Sequence, residues 1–196
     1  MMQFSSAHTF GHFTDEIPDS DEHLTLQFSP GRAPRKRRWS NFGLSADFLG
    51  DYFAAFFPGD EVPDSKINRK DTIKSSVSYI ANELLENAVK YNDEGVNWPV
   101  TISLYLYEQE IIFHVVNYAN RNTANKYCDF VQELVASDID DLYMRQLEKT
   151  ATGSGESHMG LLTMINDYSA RFGWKFQTVA HEPDVMQVDV VAYLDV

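Results

Sequence analysis

The fold of this protein is decided by residues 82–91, which read NELLENAVKY. At about 100° per residue, a helix would separate this stretch into two faces. The polar face carries four side chains that could contact a ligand, namely Glu83, Asn87, Lys90 and Tyr91. The apolar face consists of Ala81, Leu84, Leu85 and Ala88, with Val77 beside it. We therefore predict a long amphipathic helix that begins at about Lys66 or Asp71, ends at Tyr91 and packs on a sheet.

The polar face of this helix has the side chains that a metal-assisted reaction needs. Because Mg²⁺ prefers oxygen ligands and keeps several waters, a carboxylate and an amide oxygen one turn apart can serve it. A second carboxylate that stays off the metal could act as a general base. The same residue types are common on the solvated face of amphipathic helices, so the pattern by itself leaves a purely structural role open.

The rest of the chain alternates between short strands and helices. Two antiparallel hairpins are predicted, with strands at residues 100–107 and 110–117 and at 174–180 and 186–194. Three helices are predicted between them, at residues 122–136, 139–149 and 158–172. Upstream, residues 24–28 alternate as a strand does, and a further helix is predicted from an N-cap at Ser45 to Phe57, before Pro58.

This order of elements predicts the α+β class. We expect a two-layer sandwich, in which helices cover one face of a mixed, mostly antiparallel sheet. Residues 1–23 are predicted to be a loosely ordered lead-in, and residues 24–196 to form a single domain. The length of 196 residues suits one core.

Two further segments could contribute to a binding site. An apolar strand leads into Asn117, where a chain leaving a sheet can present a polar group to a ligand, although a strand-end asparagine often only caps a turn. Residues 153–162 read GSGESHMGLL, a glycine-bearing loop that could offer backbone N–H groups and a helix N-terminus to phosphate. His158 in this loop could be catalytic, although a loop histidine is more often incidental.

Taken together, the three segments resemble the motifs of the GHKL ATPase superfamily, whose ATP-binding domain has the Bergerat fold. Residues 83–91 resemble its N box, residues 116–120 lie where its first glycine box is expected, and residues 153–162 where the second is expected. The two-helix insertion and the run MGLLTMI at residues 159–165 are similar to the small stand-alone kinases of the Sia-type partner-switching modules. The resemblance extends from about Ser75 to the C-terminus.

The resemblance implies ATP and Mg²⁺ as cofactors and a role for each matching residue. Glu83 would be the base that accepts the proton of the attacking hydroxyl, and Asn87 would hold Mg²⁺. Asn117 would take the place of the usual adenine-reading aspartate. The remaining residues would lie near the ribose or the phosphates: Lys90, Tyr91, Ser154, Gly155 and Gly160.

Four positions depart from the family's pattern. Ala119 and Asn120 in the first glycine box, and Glu156 and His158 in the second, stand where glycines are expected. Because a β-carbon obstructs the approach of the backbone to a phosphate, the site could be weak, depend on a partner, or no longer bind ATP.

The resemblance implies a cytoplasmic, ATP-dependent protein serine/threonine kinase that acts on a small STAS-type partner in a bacterial signalling switch. The altered glycine boxes favour an alternative, a pseudokinase that keeps the fold and sequesters a partner without phosphoryl transfer. A third interpretation is an ATP hydrolase that drives its own conformational change. Related kinases often dimerise, so a homodimer is a further expectation.

The composition argues against several other functions. The formal net charge of −13 would repel a phosphate backbone, so we expect no nucleic-acid partner. We expect no membrane span, because no apolar run approaches the roughly 20 residues that would be needed. Cys128 is the only cysteine, which excludes an intrachain disulfide and suits the cytoplasm. Residues 32–38, with four arginines and one lysine, are either a solvated segment or a docking site for an acidic partner or a phosphate.

Overall fold

The computed structural model describes residues 7–20, 22–29, 35–59, 68–93, 95–151, 158–180 and 182–196, without the side chains of residues 35–41 and 150. In these segments six strands form one sheet in the order β1-β5-β6-β4-β3-β2, and every neighbouring pair is antiparallel. The strands are β1 Ala7–Gly11, β2 Glu22–Phe28, β3 Val100–Leu106, β4 Glu110–Asn120, β5 Arg171–Val179 and β6 Glu182–Asp195. Both predicted hairpins are present, as β3–β4 and β5–β6.

Five helices complete the described segments. They are α1 Arg35–Ala54, α2 Arg69–Tyr91, α3 Arg121–Ala136, α4 Ile139–Ala151 and α5 Met159–Tyr168. The predicted central helix is α2, and its start is fixed by Asn68, whose side chain accepts a hydrogen bond from the backbone N–H of Lys70. None of the helices in the described part of the chain combines the length and the apolar character that crossing a membrane requires.

The core lies between the sheet and the helices. Along β4, alternate residues face the helices and are buried, namely Ile111, Phe113, Val115, Asn117 and Ala119. The apolar stripe of α2 meets them, with Val77, Ile80, Ala81, Leu84, Leu85 and Ala88 all buried. This arrangement confirms the predicted α+β two-layer class, and the sheet is antiparallel throughout the described residues, whereas a mixed sheet was expected.

Several predicted boundaries were wrong. Helix α1 begins at Arg35, so Ser45 lies inside the helix and is not its N-cap. Helix α5 ends at Tyr168, where Ser169 adopts a left-handed conformation, so Phe172 and Gly173 belong to β5. At the end of α5, an apolar residue such as Phe172 fits either a helix or a strand, and only the pairing of β5 with β6 decides between them.

The N-terminal residues contain a strand that the alternation pattern did not predict. Within the expected loose lead-in, β1 pairs with β5 at one edge of the sheet, and β2 begins at Glu22 at the opposite edge. The connection between them, which we call the strap (residues 12–20), crosses the sheet on the face away from the helices. It is held there by Tyr193, whose hydroxyl donates to the His12 carbonyl at 2.9 Å, and by the Lys175–Asp15 ion pair.

The strap lies directly on β5. A β-carbon at Gly173 would come within 2.5 Å of the backbone of His12 and Phe13. Gly11, with φ of 61°, makes the turn from β1 into the strap, a conformation that side-chain-bearing residues rarely adopt. At the far edge, the Tyr107 hydroxyl donates to the Pro18 carbonyl at 2.5 Å. The strap therefore ties the two edges of the sheet together.

Candidate functional site

The candidate site is built on the C-terminal half of α2. Its apolar stripe is buried against the sheet, so the opposite side of the helix is held in place. Two hydrogen bonds fix the end of the helix to β4: Asp93 N–H donates to the Tyr118 carbonyl at 2.7 Å, and Tyr118 N–H donates to the Asn92 side chain at 3.0 Å. This clamp sets the position of Asn87 relative to Asn117, the residue before Tyr118.

A small cavity lies between α2, the sheet, α3 and α5, and it brings three predicted site residues together. Its wall includes Asn87 and Tyr91 from α2, Asn117 from β4 and Thr123 from α3. The remaining wall is apolar, with residues such as Ala88, Leu161, Met164 and Val188. Such an apolar pocket with a few converging polar groups is typical of a small-molecule site.

Asn117 is the buried polar group of this cavity. Its side chain is only 4% exposed and faces the cavity from the helix side of β4. Its amide lines the cavity and can both donate and accept a hydrogen bond, so its position favours a ligand or water that would bond to it.

A cluster of four aromatic rings, Tyr91, Tyr127, Phe130 and His158, lies beside the cavity. The imidazole of His158 stacks on Phe130, with ring centroids 3.9 Å apart. The same imidazole lies 6.5 Å from the Tyr91 ring and 6.2 Å from the Tyr127 ring, and Tyr91 and Tyr127 both line the cavity. The cavity that remains has a volume of about 20 Å³, which is room for one water and far below the roughly 300 Å³ of small ligand sites.

Glu83 lies one turn before Asn87, against the first turn of α5. A β-carbon at Gly160 would overlap the Glu83 carboxylate and would lie 2.7 Å from its Cδ. The absence of a side chain at Gly160 thus creates the space in which this carboxylate sits. The carboxylate also faces the N-terminal end of a helix, where the helix dipole favours negative charge.

The pKa of the Glu83 carboxyl is raised above its ordinary value. Burial against α5 is the main cause, and the neighbouring charge of Glu86 adds to it. The Asn82 amide donates to the Glu86 carboxylate at 2.9 Å, which holds that second charge in place. A carboxyl with a raised pKa is a better proton acceptor than an ordinary one, which suits a general base.

Tyr127 is held in place within the cavity wall. The indole N–H of Trp174 donates to the Tyr127 hydroxyl at 3.0 Å, and burial raises the pKa of this phenol to about 12. Tyr127 therefore stays neutral at physiological pH and serves as a fixed apolar wall with a satisfied hydroxyl.

The remaining predicted site residues fall into three groups. Lys90 is exposed, and its ammonium lies 3.1 Å from the Tyr91 hydroxyl, at the rim of the cavity. Gly160 contacts Glu83, as described above, and is not part of the cavity wall. Ser154 and Gly155 lie outside the described residues. Among the residues that are described, no three His, Cys, Asp or Glu side chains are close enough to hold a metal ion.

Sequence reasoning missed the contribution of α3 and β6 to the site. Thr123, Tyr127, Val188 and Val190 line the cavity, yet each looks like an ordinary core or surface residue in the sequence. Asn120 carried a usable signal, since an asparagine before a helix is a common N-cap, and its side chain accepts from the Thr123 N–H at 2.9 Å. For His158, the signal was its position in the glycine-bearing segment.

No protein-family model matches the sequence, and no curated protein matches it. Among solved structures, the chain is similar to one in the crystal structure of the SiaB–SiaC complex from Pseudomonas aeruginosa, with a TM-score of 0.51 and 16% sequence identity. The similarity covers 87% of this chain and 89% of that chain. At this identity the similarity establishes a shared fold.

Proposed function

We propose that this protein is a partner-switching regulator with a GHKL-type nucleotide site, and that it transfers phosphate from ATP to a serine or threonine of a small STAS-type partner protein. The fold similarity supports this proposal, because the similar chain comes from a complex of SiaB with SiaC. The observation that carries it is the contact between Glu83 and Gly160, which leaves a carboxylate with a raised pKa at the N-terminal end of α5.

The donors around the cavity suit the parts of Mg²⁺-ATP. Asn117 can accept from an adenine amine at the buried end, and Asn87 offers an amide oxygen to a metal that otherwise keeps water and phosphate ligands. ATP would supply the phosphoryl group. The volume of the cavity does not admit a purine in this conformation, so binding requires the aromatic cluster beside the cavity to move apart.

In the transfer, the chain's own residues would position the reactants, and Glu83 would accept a proton. Glu83 would accept the proton of the partner's hydroxyl while the oxygen of that hydroxyl bonds to the terminal phosphorus of ATP. The bond between this phosphorus and the bridging oxygen would break, which leaves ADP and a phosphorylated partner. Phosphoryl transfer of this kind depends mainly on positioning and charge neutralisation. The cytoplasm is the compartment that supplies both ATP and such partners.

A titration with ATP tests the nucleotide site. We expect calorimetry to detect binding of micromolar to sub-millimolar strength that requires Mg²⁺ and is lost in Asn87→Ala. The control is Asn166→Ala, an exposed asparagine on α5 away from the cavity, which should bind as the wild type does. A second assay, with labelled ATP and purified SiaC, tests phosphoryl transfer. We expect labelled SiaC with the wild type and none with Glu83→Gln. Wild-type protein that does not bind ATP would overturn the kinase proposal.

The second candidate is a pseudokinase that sequesters its partner. The observation in its favour is the small volume of the cavity together with the aromatic cluster beside it, in which His158 stacks on Phe130 in a position at which the family is expected to have a glycine. This candidate predicts that the protein forms a complex with its partner in the absence of nucleotide, and that Asn87→Ala and Glu83→Gln leave the affinity of the complex unchanged. A complex that forms only with ATP would exclude it.

A further inference from the structure

Helices α2 and α5 lie side by side beyond the cavity and run antiparallel. Glu83 meets Gly160 at the start of α5, whereas Tyr79, one turn earlier in α2, stacks on Tyr168 at the end of α5. The contacts therefore move backwards along α2 as they move forwards along α5. Asn87, Glu83 and Tyr79 are each four residues apart, so they form a row on one side of α2 that leads away from the cavity.

Tyr79, Thr163 and Tyr168 form a small surface, which we call the platform. The rings of Tyr79 and Tyr168 are stacked, with centroids 4.9 Å apart and an angle of 10° between their planes. Both residues are half-buried and so remain partly accessible. The pKa of the Tyr79 phenol is raised, mainly by burial and then by the charge of Glu83, while a hydrogen bond with Thr163 opposes the rise. The platform thus lies within electrostatic reach of the proposed base.

A groove continues along the same side of α2 past the platform. It has a volume of about 340 Å³, against about 20 Å³ for the cavity, and Thr72 and Ser76 of α2 line it. Thr72, Ser76, Tyr79 and Glu83 follow one another at intervals of three or four residues, which places them on one side of the helix. The other residues that line the groove are Arg69, Ile73, Leu194, Asp195 and Val196.

The geometry of phosphoryl transfer decides on which side of Glu83 the acceptor hydroxyl would lie. The attacking and leaving oxygens are roughly in line, with the phosphorus between them. Asn87 and the cavity lie on one side of Glu83 along α2, and this is the side on which the nucleotide would bind. The hydroxyl would therefore approach from the opposite side, where Tyr79 and the groove lie.

We propose that the platform and the groove hold the acceptor segment of the partner protein, with its serine or threonine hydroxyl beside Glu83. This inference rests on the proposed kinase function and assigns its protein-substrate site. Thr72 and Glu83 are eleven positions apart, about 16 Å along a helix, which about five residues of extended chain would cover. Tyr79 is one turn from Glu83, so the partner residue that contacts the tyrosine rings would be about two positions from the hydroxyl.

The surroundings of the platform define the chemistry of this segment. Burial raises the pKa of the Tyr168 phenol, and the charge of Asp167 adds to the rise. With Glu83 near Tyr79, carboxylates flank both rings, and they would repel a segment that carries Asp or Glu next to its hydroxyl. Aromatic rings pack well against apolar side chains. The segment should therefore place an apolar side chain on the rings. A stack that serves only to join α2 to α5 is the alternative, and it predicts effects on stability alone.

Steady-state kinetics with purified SiaC at saturating ATP test the platform. We expect Tyr79→Ala to raise the KM for SiaC by about tenfold or more, with ATP affinity in calorimetry unchanged. Tyr79→Phe keeps the ring and should behave as the wild type does. Tyr105→Ala is the matched control, because Tyr105 is also half-buried and stacks on a ring, that of His23. An unchanged KM in Tyr79→Ala, or an equal rise in Tyr79→Phe, would refute the inference.

A second variant fills the groove and leaves the rings in place. Thr72 is exposed on the groove wall, so Thr72→Trp should raise the KM for SiaC by about fivefold or more through steric conflict with the segment. Lys70→Trp is the control, since Lys70 is exposed on the opposite side of α2. Thermal unfolding establishes that each variant is folded. Equal KM values in Thr72→Trp and Lys70→Trp would exclude the groove from the segment's path.

Failure of this inference is distinguishable from failure of the kinase proposal. Wild-type protein that binds ATP and labels SiaC, with wild-type KM values in Tyr79→Ala and Thr72→Trp, would refute the inference alone. If the wild type transfers no phosphate, the affinity of its complex with SiaC takes the place of KM. Weaker binding in these two variants, and not in the controls, would then support the platform as the docking site. Unchanged binding, or no binding of SiaC to the wild type, would overturn the inference.

Discussion

At the scale of single residues, the site depends on a contact between a carboxylate, that of Glu83, and a glycine, Gly160, whose lack of a side chain leaves room for it. Glu83 occupies the space that a β-carbon at Gly160 would fill. The contact joins α2 to α5 at the point where the resemblance to ATP-binding proteins places a base and a phosphate-binding turn. The two residues are 77 positions apart, so neither alone indicates the other.

Gly160→Ala separates the role of this contact in function from its role in stability. The new methyl group would displace the end of a flexible side chain, and alanine is favoured over glycine in a helix by about 1 kcal/mol, so we expect stability to change by no more than about 1 kcal/mol. The carboxylate must nevertheless move, and phosphoryl transfer should fall by about 100-fold or more. Gly43→Ala, a helical glycine with open space around it, is the control and should retain activity. Full activity in Gly160→Ala would remove Glu83 from the proposed mechanism.

The raised pKa of Glu83 predicts how stability changes with pH. A carboxyl whose pKa is higher in the folded protein than in the unfolded chain makes the folded state bind more protons than the unfolded state. Its contribution to stability is therefore fully present below pH 4.5, the ordinary pKa of the group, and is lost as the pH rises through the folded pKa. Glu83→Gln should therefore be more stable than wild type at pH 7, with a difference that shrinks as pH falls towards 4. Urea denaturation across this range measures it, with the exposed Glu108→Gln as control. A difference that grows as pH falls would contradict the raised pKa.

At the scale of elements, the start of α5 is unusual because His158 begins it in a left-handed conformation, with φ of 42°. The left-handed conformation costs a side-chain-bearing residue about 1–2 kcal/mol. The stacking of its ring on Phe130 stabilises this position and places the ring beside Tyr91 and Tyr127 of the cavity wall.

His158→Gly should open the cavity. Glycine tolerates the left-handed backbone, and removal of the ring leaves space beside Tyr91 and Tyr127, so we expect ATP affinity to rise by about tenfold in calorimetry. Ser169→Gly is a matched control at the other end of α5, since Ser169 has φ of 54° and lies outside the cavity wall. The control should alter stability and leave affinity unchanged. Lower affinity in His158→Gly would mean that the ring holds the ligand instead of excluding it.

At the scale of the whole molecule, the strap connects the two edge strands of the sheet. Because β1 and β2 lie at opposite edges, residues 12–20 must cross all the intervening strands, and they do so on the face that the helices leave open. Gly173 lies below the strap backbone, and no flexible side chain separates them.

Gly173→Ala should therefore destabilise the protein more than Gly160→Ala does. The methyl group would overlap the backbone of His12 and Phe13, which cannot yield without lifting the strap, and we expect a loss of about 1–3 kcal/mol. Thermal unfolding measures the loss, and Gly59→Ala, with open space around it, should be neutral. Hydrogen exchange should show faster exchange of the His12 N–H, which donates to the Phe172 carbonyl at 2.8 Å. Unchanged stability would show that the strap contributes little.

The sequence by itself determined the elements whose patterns are local. The 3.6-residue period of α2 and the short apolar runs of β3 to β6, bounded by turn residues, predicted those elements and the α+β class, because each pattern lies within a single element. Boundaries failed where neighbouring apolar residues suit two elements, as at the end of α5.

The tertiary structure alone decided the site and the strap. The cavity joins α2, β4, α3, α5 and β6, and its apolar wall carries no sequence pattern of its own. Asn117 and Gly160 were already candidates from the sequence, but only the tertiary structure buries Asn117 in the cavity wall and places Gly160 against the Glu83 carboxylate. Strand β1 is short and mostly exposed, so no hydrophobic alternation marks it, and its pairing with β5 depends on residues more than 160 positions away. Such contacts form between segments distant in the chain, whose packing no local pattern encodes.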